Sequence, residues 1–198
     1  MILLPALCLS YLIGSIPTGL LVGRLLAGVD VRRHGSGNVG ATNVARVVGR
    51  LPGLFVLVVD VAKGWVPAAL LPPAFGGGPA VPIALGMAVV AGHIWNPFLQ
   101  LQGGKGVATA LGVLFALDRR AAFGTVAVWL VVAAATRYVS LASLSAAMAA
   151  PLLMVVLDLP TLWTLGTVAV SLAVIARHRS NILRLLHREE HRIGRGMG

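Results

Sequence analysis

The chain alternates long apolar stretches with short segments rich in glycine, proline and basic residues. Seven apolar stretches can be drawn, at roughly residues 2–22, 53–71, 80–99, 107–117, 121–136, 139–157 and 161–176. Backbone polar groups in hydrocarbon must be satisfied within their own segment, so each stretch is predicted to be a helix. A span needs about 17–25 residues, and the fourth and fifth stretches are shorter. We expect these two to form either a hairpin of short helices or a kinked pair that does not fully cross.

Composition strengthens the membrane interpretation. Apolar residues make up 58% of the 198 residues, charged residues only 11%, and the mean hydropathy is +0.90. Soluble domains carry roughly a quarter charged residues, so this chain cannot cover a water-facing surface. The sequence therefore predicts an all-α integral membrane protein of about seven transmembrane helices, forming one polytopic domain over residues 1–198.

The charged residues are mostly basic and fall on one predicted side of the membrane. The chain has 16 Lys and Arg residues against 6 Asp and Glu. Cytoplasmic loops, anionic membrane lipid or a site for an anionic substrate explain this excess, and no nucleic-acid partner is predicted. Thirteen basic residues lie in alternate loops and the tail, and only Arg119 and Arg120 lie in the opposite loops. We therefore predict a bacterial cytoplasmic (inner) membrane protein with its N-terminus outside and its C-terminus cytoplasmic.

The tail, about residues 180–198, is predicted to be a separate small element. Four apolar residues can share one helical face opposite basic residues: Ile182, Leu185, Leu186 and Ile193. This pattern is typical of a helix that lies in the membrane interface and binds anionic lipid. A solvated basic tail is the alternative.

The first candidate site is the polar segment Gly35-Ser36-Gly37-Asn38-Val39-Gly40-Ala41-Thr42-Asn43, followed by Arg46. Glycines let backbone amides approach an anion, and the Ser, Asn and Thr side chains add donors. The Arg46 guanidinium can bind phosphate or carboxylate with two hydrogen bonds. The spacing matches G-x-G-x-x-G, but a membrane helix precedes it instead of a strand, so a dinucleotide fold is rejected. A flexible interhelical loop is the alternative.

The second candidate site places His93 and Asn96 before a segment with Gly103, Gly104 and Lys105. A lysine among accessible amides is a general phosphate-binding arrangement, although the spacing is not that of a Walker A loop. The alternatives are a histidine satisfied at the membrane interface and a lysine that only marks the cytoplasmic side.

Two further sets complete the candidate chemistry. Asp60 and Lys63 lie three residues apart inside an apolar stretch, where they can pair, and they either lock the helices or support the site from below. His178 and Asn181 follow the last apolar stretch, and this histidine can act as an acid, a base or a phosphate donor. A basic membrane boundary is the alternative for the second set.

Several catalytic signatures are missing from the sequence. There is no serine elbow, no Cys-His pair and no carboxylate set for a two-metal centre. All four candidate sets also lie at, or lead toward, one predicted membrane face. We predict an enzyme that captures and positions anions without a metal, a cofactor or a covalent intermediate.

These segments together resemble a known family. The strings GSGNVGATNVAR, DVAKG, GHIWNPF, GGKGVAT and RHRSNI occur in this order and cover nearly the whole chain. They resemble the bacterial acyl-phosphate:glycerol-3-phosphate acyltransferases, the PlsY family. The resemblance implies that the hydroxyl of glycerol 3-phosphate attacks an acyl phosphate, giving lysophosphatidate and inorganic phosphate at the cytoplasmic face. Whether the enzyme that produces the acyl phosphate docks directly is open.

The resemblance also implies residue roles. The phosphate of glycerol 3-phosphate would be held by Ser36, Arg46, Lys105 and His178. Together with Asn181, these four residues would be the catalytic residues. The acyl phosphate would be bound, or its carbonyl polarised, by Asn38, Thr42, Asn43 and the amides around Gly37 and Gly40. The pocket would be shaped by Asn181 and by His93, Asn96, Gly103 and Gly104. The hydroxyl proton would pass either to His178 or to a phosphate oxygen of the substrate, and the lack of a carboxylate favours the phosphate.

Two rival functions stay open at this point. An anion channel or transporter would also have basic mouths, but transporter sites tend to lie near the bilayer midplane on broken helices or repeats. A CDP-alcohol phosphotransferase is another small membrane enzyme of lipid synthesis, but it relies on an Asp-rich metal motif that this chain lacks.

Overall fold

The computed structural model describes residues 3–75 and 77–194, and all regular structure within them is helical. The α-helices are α1 Leu3–Gly14, α2 Thr18–Ala27, α3 Ala41–Val47, α4 Arg50–Leu70, α5 Ala80–Ile94, α6 Val107–Leu117, α7 Arg119–Thr136, α8 Val139–Val156, α9 Thr161–Arg177 and α10 Arg179–Leu186. Short 3₁₀ turns lie at Val31–Arg33, Pro72–Phe75 and Pro97–Leu99. The all-α prediction is confirmed.

The helices group into two compact units. The first unit covers residues 1–117 and contains α1 to α6, and the second covers residues 118–198 and contains α7 to α10. The single polytopic domain over residues 1–198 stays a prediction.

The expected count of about seven membrane spans stays a prediction. Five helical segments in the described chain are long and apolar enough to cross: Leu3–Ala27, Arg50–Leu70, Ala80–Leu99, α7 and α8. A sixth is possible if α9 and α10, which meet at a bend of 58°, count as one span. The fifth predicted stretch proves long enough because α7 starts earlier, at Arg119, with Asp118 accepting hydrogen bonds at its N-cap. The fourth, α6, has only 11 residues. The sidedness stays a prediction.

The first apolar stretch is a broken helix, so the expectation of one continuous helix over 2–22 is wrong in this respect. Helix α1 ends at Gly14, and α2 begins at Thr18. Pro17 lies between them, and proline removes a backbone donor and clashes with the preceding helical turn. The break therefore leaves backbone carbonyl groups that side chains must satisfy.

Helices of the first unit approach each other closely through glycine. A Cβ atom at Gly14 would collide with the carbonyl oxygen of Val89, which lies on α5. A Cβ at Gly64 of α4 would likewise collide with the carbonyl oxygen of Thr109 on α6. Small residues at helix contacts allow this backbone approach, which is a common means of packing in membranes.

The second unit packs α7 against α8 and α8 against α9 through small residues. Its last part differs from the expected amphipathic tail. The helical part, α10, ends at Leu186, and Ile193 lies beyond it with its backbone N–H donating to the carbonyl of Arg137 at 2.8 Å. The predicted helix over about 180–198 is therefore too long, and residues 195–198 lie outside the described part of the chain.

Candidate active site

The polar segment before α3 is organised around one buried amide, that of Asn43. Its Oδ1 accepts from the backbone N–H of Ser36 at 2.8 Å. Its Nδ2 donates to the carbonyls of Val31 (2.9 Å), His34 (3.1 Å) and Asn38 (2.9 Å). The residue is 2% exposed. Asn43, expected to bind substrate, is therefore placed where it shapes the loop.

Asp30 anchors the start of the same segment. Its carboxylate accepts from the backbone N–H of Arg32 at 3.0 Å and from the Arg32 Nη2 at 2.6 Å, and Arg24 lies 3.6 Å away. The hydrogen bond from the Arg32 side chain is the main reason why the pKa of Asp30 lies well below its usual range. Sequence reasoning missed this carboxylate, although its place between arginines is visible in the sequence.

The outer side of this loop remains available to a ligand. Ser36, Gly37 and Thr42 are exposed, and Asn38 folds inward so that its Oδ1 accepts from Gly40 N at 2.8 Å. Hydrogen bonds within α3 begin at Asn43, whose N–H donates to Gly40, so the preceding N–H groups of Ala41 and Thr42 need other acceptors. The half-buried Arg46 lies in the last turn of this helix.

The Gly103-Gly104 segment folds back onto the end of α5. The N–H of Gly103 donates to Ile94 O and that of Gly104 to His93 O, both at 3.0 Å. A Cβ at Gly103 would collide with His93 O, and one at Gly104 with the His93 ring. Both amides therefore already donate to the backbone, and a contact of these glycines with substrate stays a prediction. Their glycines allow the close approach that places His93 and the following, half-buried Lys105.

The Asp60–Lys63 pair forms as predicted. Lys63 Nζ lies 2.8 Å from Asp60 Oδ1, with side chains 5% and 3% exposed. Both residues line a cleft of the first unit, whose lining comprises Ile16, Pro17, Thr18, Gly19, Val39, Asp60, Lys63, His93 and Asn96. The cleft therefore brings together the first loop, the buried ion pair and the end of α5, which are three of the four predicted sets.

Asn96 serves the architecture of this cleft. Its Nδ2 donates to Ser15 O at 2.7 Å, and its Oδ1 accepts from Phe98 N at 3.0 Å. The side chain is almost fully buried. Both ends of the amide are thus used within the fold, where they hold the break between α1 and α2, and a substrate contact by Asn96 stays a prediction.

The fourth predicted set lies in the second unit. His178 marks the bend between α9 and α10, is buried, and has its Nδ1 2.8 Å from the carbonyl of Val174. Because a carbonyl only accepts, Nδ1 carries a proton, which assigns the remaining ring nitrogen, Nε2, to any ligand or base role. Asn181 is also buried, and its Nδ2 donates to Glu190 Oε1 at 2.9 Å.

Glu190 was missed in the sequence, where it appeared as one acidic residue of a basic tail. Its Oε2 accepts from Arg184 Nε at 2.8 Å, and the residue is 8% exposed. Burial raises the pKa of this carboxyl, but the hydrogen bonds from Arg184 and Asn181 outweigh it, so the pKa lies below its usual value. The tail thus holds Asn181 through a buried charge.

Metal ligands do not gather in the described residues, where no group of three or more His, Cys, Asp or Glu side chains could hold a metal ion. A family model described as glycerol-3-phosphate acyltransferase matches residues 4–188. The chain belongs to the glycerol-3-phosphate acyltransferase family. This membership confirms the resemblance found in the sequence.

Curated relatives and solved structures agree with the family. The chain is 51% identical over 189 residues to glycerol-3-phosphate acyltransferase 2 of Moorella thermoacetica, covering 96% of each chain. It is 44% identical over 205 residues to the Synechocystis glycerol-3-phosphate acyltransferase, covering 97% of this chain and 92% of that one.

The fold is similar to that of PlsY, an integral membrane glycerol 3-phosphate acyltransferase solved in a glycerol 3-phosphate form. The TM-score is 0.93 at 42% identity, over 98% of this chain and 96% of that one. The lysophosphatidic acid form of PlsY gives a TM-score of 0.91 at the same identity and coverage. The chain is thus an acyltransferase of this family with an integral membrane fold.

Proposed function

We propose that this chain transfers a fatty acyl group from an acyl phosphate to the 1-hydroxyl of glycerol 3-phosphate, giving lysophosphatidate and inorganic phosphate. The observation that carries the proposal is the donor-rich loop before α3, where Ser36 and Thr42 are exposed and the half-buried Arg46 lies in the helix that follows. The PlsY structures in glycerol 3-phosphate and lysophosphatidic acid forms support the proposed acceptor and product.

The proposed reaction needs positioning more than activation. An acyl phosphate is a mixed anhydride, so its carbonyl carbon is already electrophilic. The hydroxyl oxygen of glycerol 3-phosphate forms a bond to this carbon, and the bond from the carbon to the phosphate oxygen breaks. The hydroxyl proton leaves with the phosphate. Holding two anions together and neutralising their charge supplies the main catalytic effect.

We assign the phosphate of glycerol 3-phosphate to Ser36, Arg46, Lys105 and His178. The exposure of Ser36 and the half-buried positions of Arg46 and Lys105 support this assignment, because basic side chains bind phosphate through charge-assisted hydrogen bonds. The acyl phosphate is assigned to Thr42 and the nearby loop amides, which precede the first hydrogen bonds of α3.

His178 and a substrate phosphate oxygen are the two candidate proton acceptors, and we favour the phosphate. His178 donates through Nδ1 to Val174 O, and a doubly protonated ring in the phosphate set would also donate from Nε2 to phosphate. A neutral histidine acting as base would instead have to accept with the same atom.

We place the site at the cytoplasmic face of the bacterial inner membrane, with the N-terminus outside. The excess of Lys and Arg in alternate loops and the tail supports this sidedness. The acyl phosphate must be supplied by an enzyme that makes it, while the basic tail and loops suit contact with anionic lipid.

The test is phosphate release by purified protein in lipid, with glycerol 3-phosphate and one of three donors: palmitoyl phosphate, palmitoyl-CoA or palmitoyl-carrier protein. We expect release only with palmitoyl phosphate, with lysophosphatidate formed in equal amount. Lys105→Ala should reduce the rate by about 10²–10³-fold, because a charge that holds and orients the phosphate of glycerol 3-phosphate is lost.

Arg120→Ala is the matched control, since it removes an exposed cation that pairs only with Asp118 in the described chain. It should keep the wild-type rate. Silence with every donor in folded protein would overturn the proposal. Flux of glycerol 3-phosphate into vesicles without product would then favour the transporter function.

A further inference from the structure

The break between α1 and α2 exposes carbonyl groups inside the first unit. The helix stops at Gly14, and Pro17 has no N–H to continue the pattern. The carbonyls of Ser15 and Ile16 therefore need donors from elsewhere. Thr18 N reaches Ile16 O at 2.9 Å, which satisfies only part of the demand.

Side chains from two other helical segments supply the missing donors. Asn96 Nδ2 donates to Ser15 O at 2.7 Å, and Lys63 Nζ donates to Ile16 O at 3.2 Å. The hydroxyl of Ser15 in turn donates to Gly92 O at 3.2 Å. The break is thus clamped from α4 by a charge and from the end of α5 by an amide.

The charge at this clamp is unusual for a purely structural element. Asp60 Oδ1 has no hydrogen-bond partner among the described residues despite lying 2.8 Å from Lys63 Nζ. A buried ion pair is often no more stabilising than apolar residues of similar volume. Stability alone therefore gives a weak reason for placing this pair inside the apolar unit.

The clamped segment contacts the donor-rich loop directly. A Cβ at Gly19, one residue into α2, would collide with the carbonyl oxygen of Val39. Val39 is buried, and in the sequence it lies between Ser36 and Thr42. The position of α2 therefore limits where this loop can lie. Asp60 contacts Lys63, and Lys63 contacts the Ile16 carbonyl. The backbone leads from Ile16 to Gly19, and Gly19 contacts Val39.

We propose that Lys63 is a positioning residue, whose ammonium, held by Asp60, clamps the Ile16 carbonyl and thereby sets the position of the phosphate-binding loop. The inference rests on the proposed function, because that function assigns the loop to the two phosphates. Asp60 acts through Lys63, and neither residue is assigned a contact with substrate.

The main test replaces both charges, with Asp60→Leu and Lys63→Met in one variant. Removing both charges avoids an unpaired buried carboxylate, so the thermal unfolding midpoint in detergent should be kept. We expect kcat/KM for glycerol 3-phosphate to fall about 10–100-fold, mainly through a raised KM, because loop displacements below 1 Å already disturb binding geometry. Ser10→Ala, which removes a buried hydroxyl bonded to Ala6 O within α1, is the matched control and should keep wild-type KM.

A second readout follows the loop without turnover. Val39→Cys in a Cys8→Ser background should be alkylated slowly, since Val39 is 6% exposed. We expect alkylation to be several-fold faster when the Asp60→Leu and Lys63→Met changes are added. Unchanged alkylation together with unchanged KM in the stable double variant would overturn the inference.

If the apolar variant has a lower thermal unfolding midpoint than the wild type, the charge-swapped variant Asp60→Lys with Lys63→Asp is the deciding test. The swap keeps an ion pair but moves the ammonium about one helical turn from Ile16. A wild-type KM in the swapped variant would also overturn the inference, whereas a raised KM supports it. Wild-type protein that turns over no glycerol 3-phosphate fails the proposed function instead, and the alkylation readout still tests the clamp.

Discussion

The two compact units both carry predicted site residues, but they hold them by different physical means. In the first unit, neutral amides and glycine contacts do most of the work around Asn43, Asn96 and Gly103. In the second, the side chain of Asn181 is held by the ionised Glu190, which also pairs with Arg184. Each unit is therefore expected to fail under a different kind of perturbation.

Neutral hydrogen bonds and backbone contacts depend on shape and hardly on pH. A carboxylate that is buried and paired depends on pH, because its charged form is what its partners stabilise. The comparison teaches that a membrane protein can fix polar side chains either by packing the backbone tightly or by burying a charge that holds them. The contacts around Asn43, Asn96 and Gly103 in the first unit should be sensitive to added volume, and those of Glu190 in the second unit should be sensitive to acid.

Among the changes that test this comparison of the two units, Gly103→Ala should have the largest effect. Its new Cβ would collide with the carbonyl oxygen of His93, a backbone atom that cannot turn away. The segment carrying Lys105 must then move, and activity should fall by about 10²-fold because catalysis depends on sub-ångström placement. Phosphate release in lipid measures it.

The matched control is Gly78→Ala, at a described glycine with open space around its Cβ position. Its activity should equal that of the wild type. Wild-type activity in the Gly103 variant would show that packing does not hold this part of the first unit.

The next effect is that of Asn43→Ala, which removes the amide at the centre of the first loop. Four backbone groups lose one hydrogen bond each, and we expect activity to fall about 10–100-fold through displaced loop donors. The loss of activity should be the same at about pH 6 and about pH 8, because an amide side chain does not titrate. Steady-state rates across that range measure it.

Asn38→Ala is the comparison variant, since the Asn38 side chain accepts one hydrogen bond, from Gly40. Its loss should be the smaller of the two. Equal losses would mean that the loop is not organised by Asn43.

The smallest effect is on stability in the second unit. Glu190→Gln keeps an acceptor for Asn181 but loses the charge that Arg184 binds, so it should cost about 1–3 kcal/mol at neutral pH. The pKa of Glu190 in the folded protein lies below its usual 4.5, so its contribution is present above that pH and is lost as the pH falls through the folded pKa. Thermal unfolding between pH 7 and pH 4 measures both.

The Glu190 variant should therefore lose less stability on acidification than the wild type does. Glu189→Gln is the matched control, because Glu189 is the neighbouring carboxylate and its side chain is exposed. An identical acid response in wild type and the Glu190 variant would contradict the assignment of pH dependence to the second unit.

Part of this account could be predicted from the sequence. The apolar stretches predicted an all-helical membrane protein, which the structure confirms, and the motif strings predicted the family. The pairing of Asp60 with Lys63 followed from their spacing on a helix in an apolar setting. These predictions succeeded because helical periodicity, hydropathy and local spacing are short-range properties.

Other parts were not accessible from local pattern. Asn43 and Asn96 looked like ligand donors, because a sequence shows that an amide can donate but not which acceptor it meets. Glu190 looked like one charge of a basic tail until the chain folded back and buried it. Pro17 was a visible signal for the break in the first helix, because proline cannot continue the helical hydrogen bonds. The sequence prediction did not use it.

The sequence by itself determined that the helices lie in a membrane, and it also determined the helical class, the family and the set of polar residues. Each of these depends on composition or on neighbours along the chain. Only the tertiary structure decided which polar groups are consumed inside the fold. The amides of Gly103 and Gly104 bind carbonyls of α5, and Lys63 meets a carbonyl 47 positions earlier. Hydrogen bonds between distant segments depend on how helices pack, and that is set by close glycine contacts acting together.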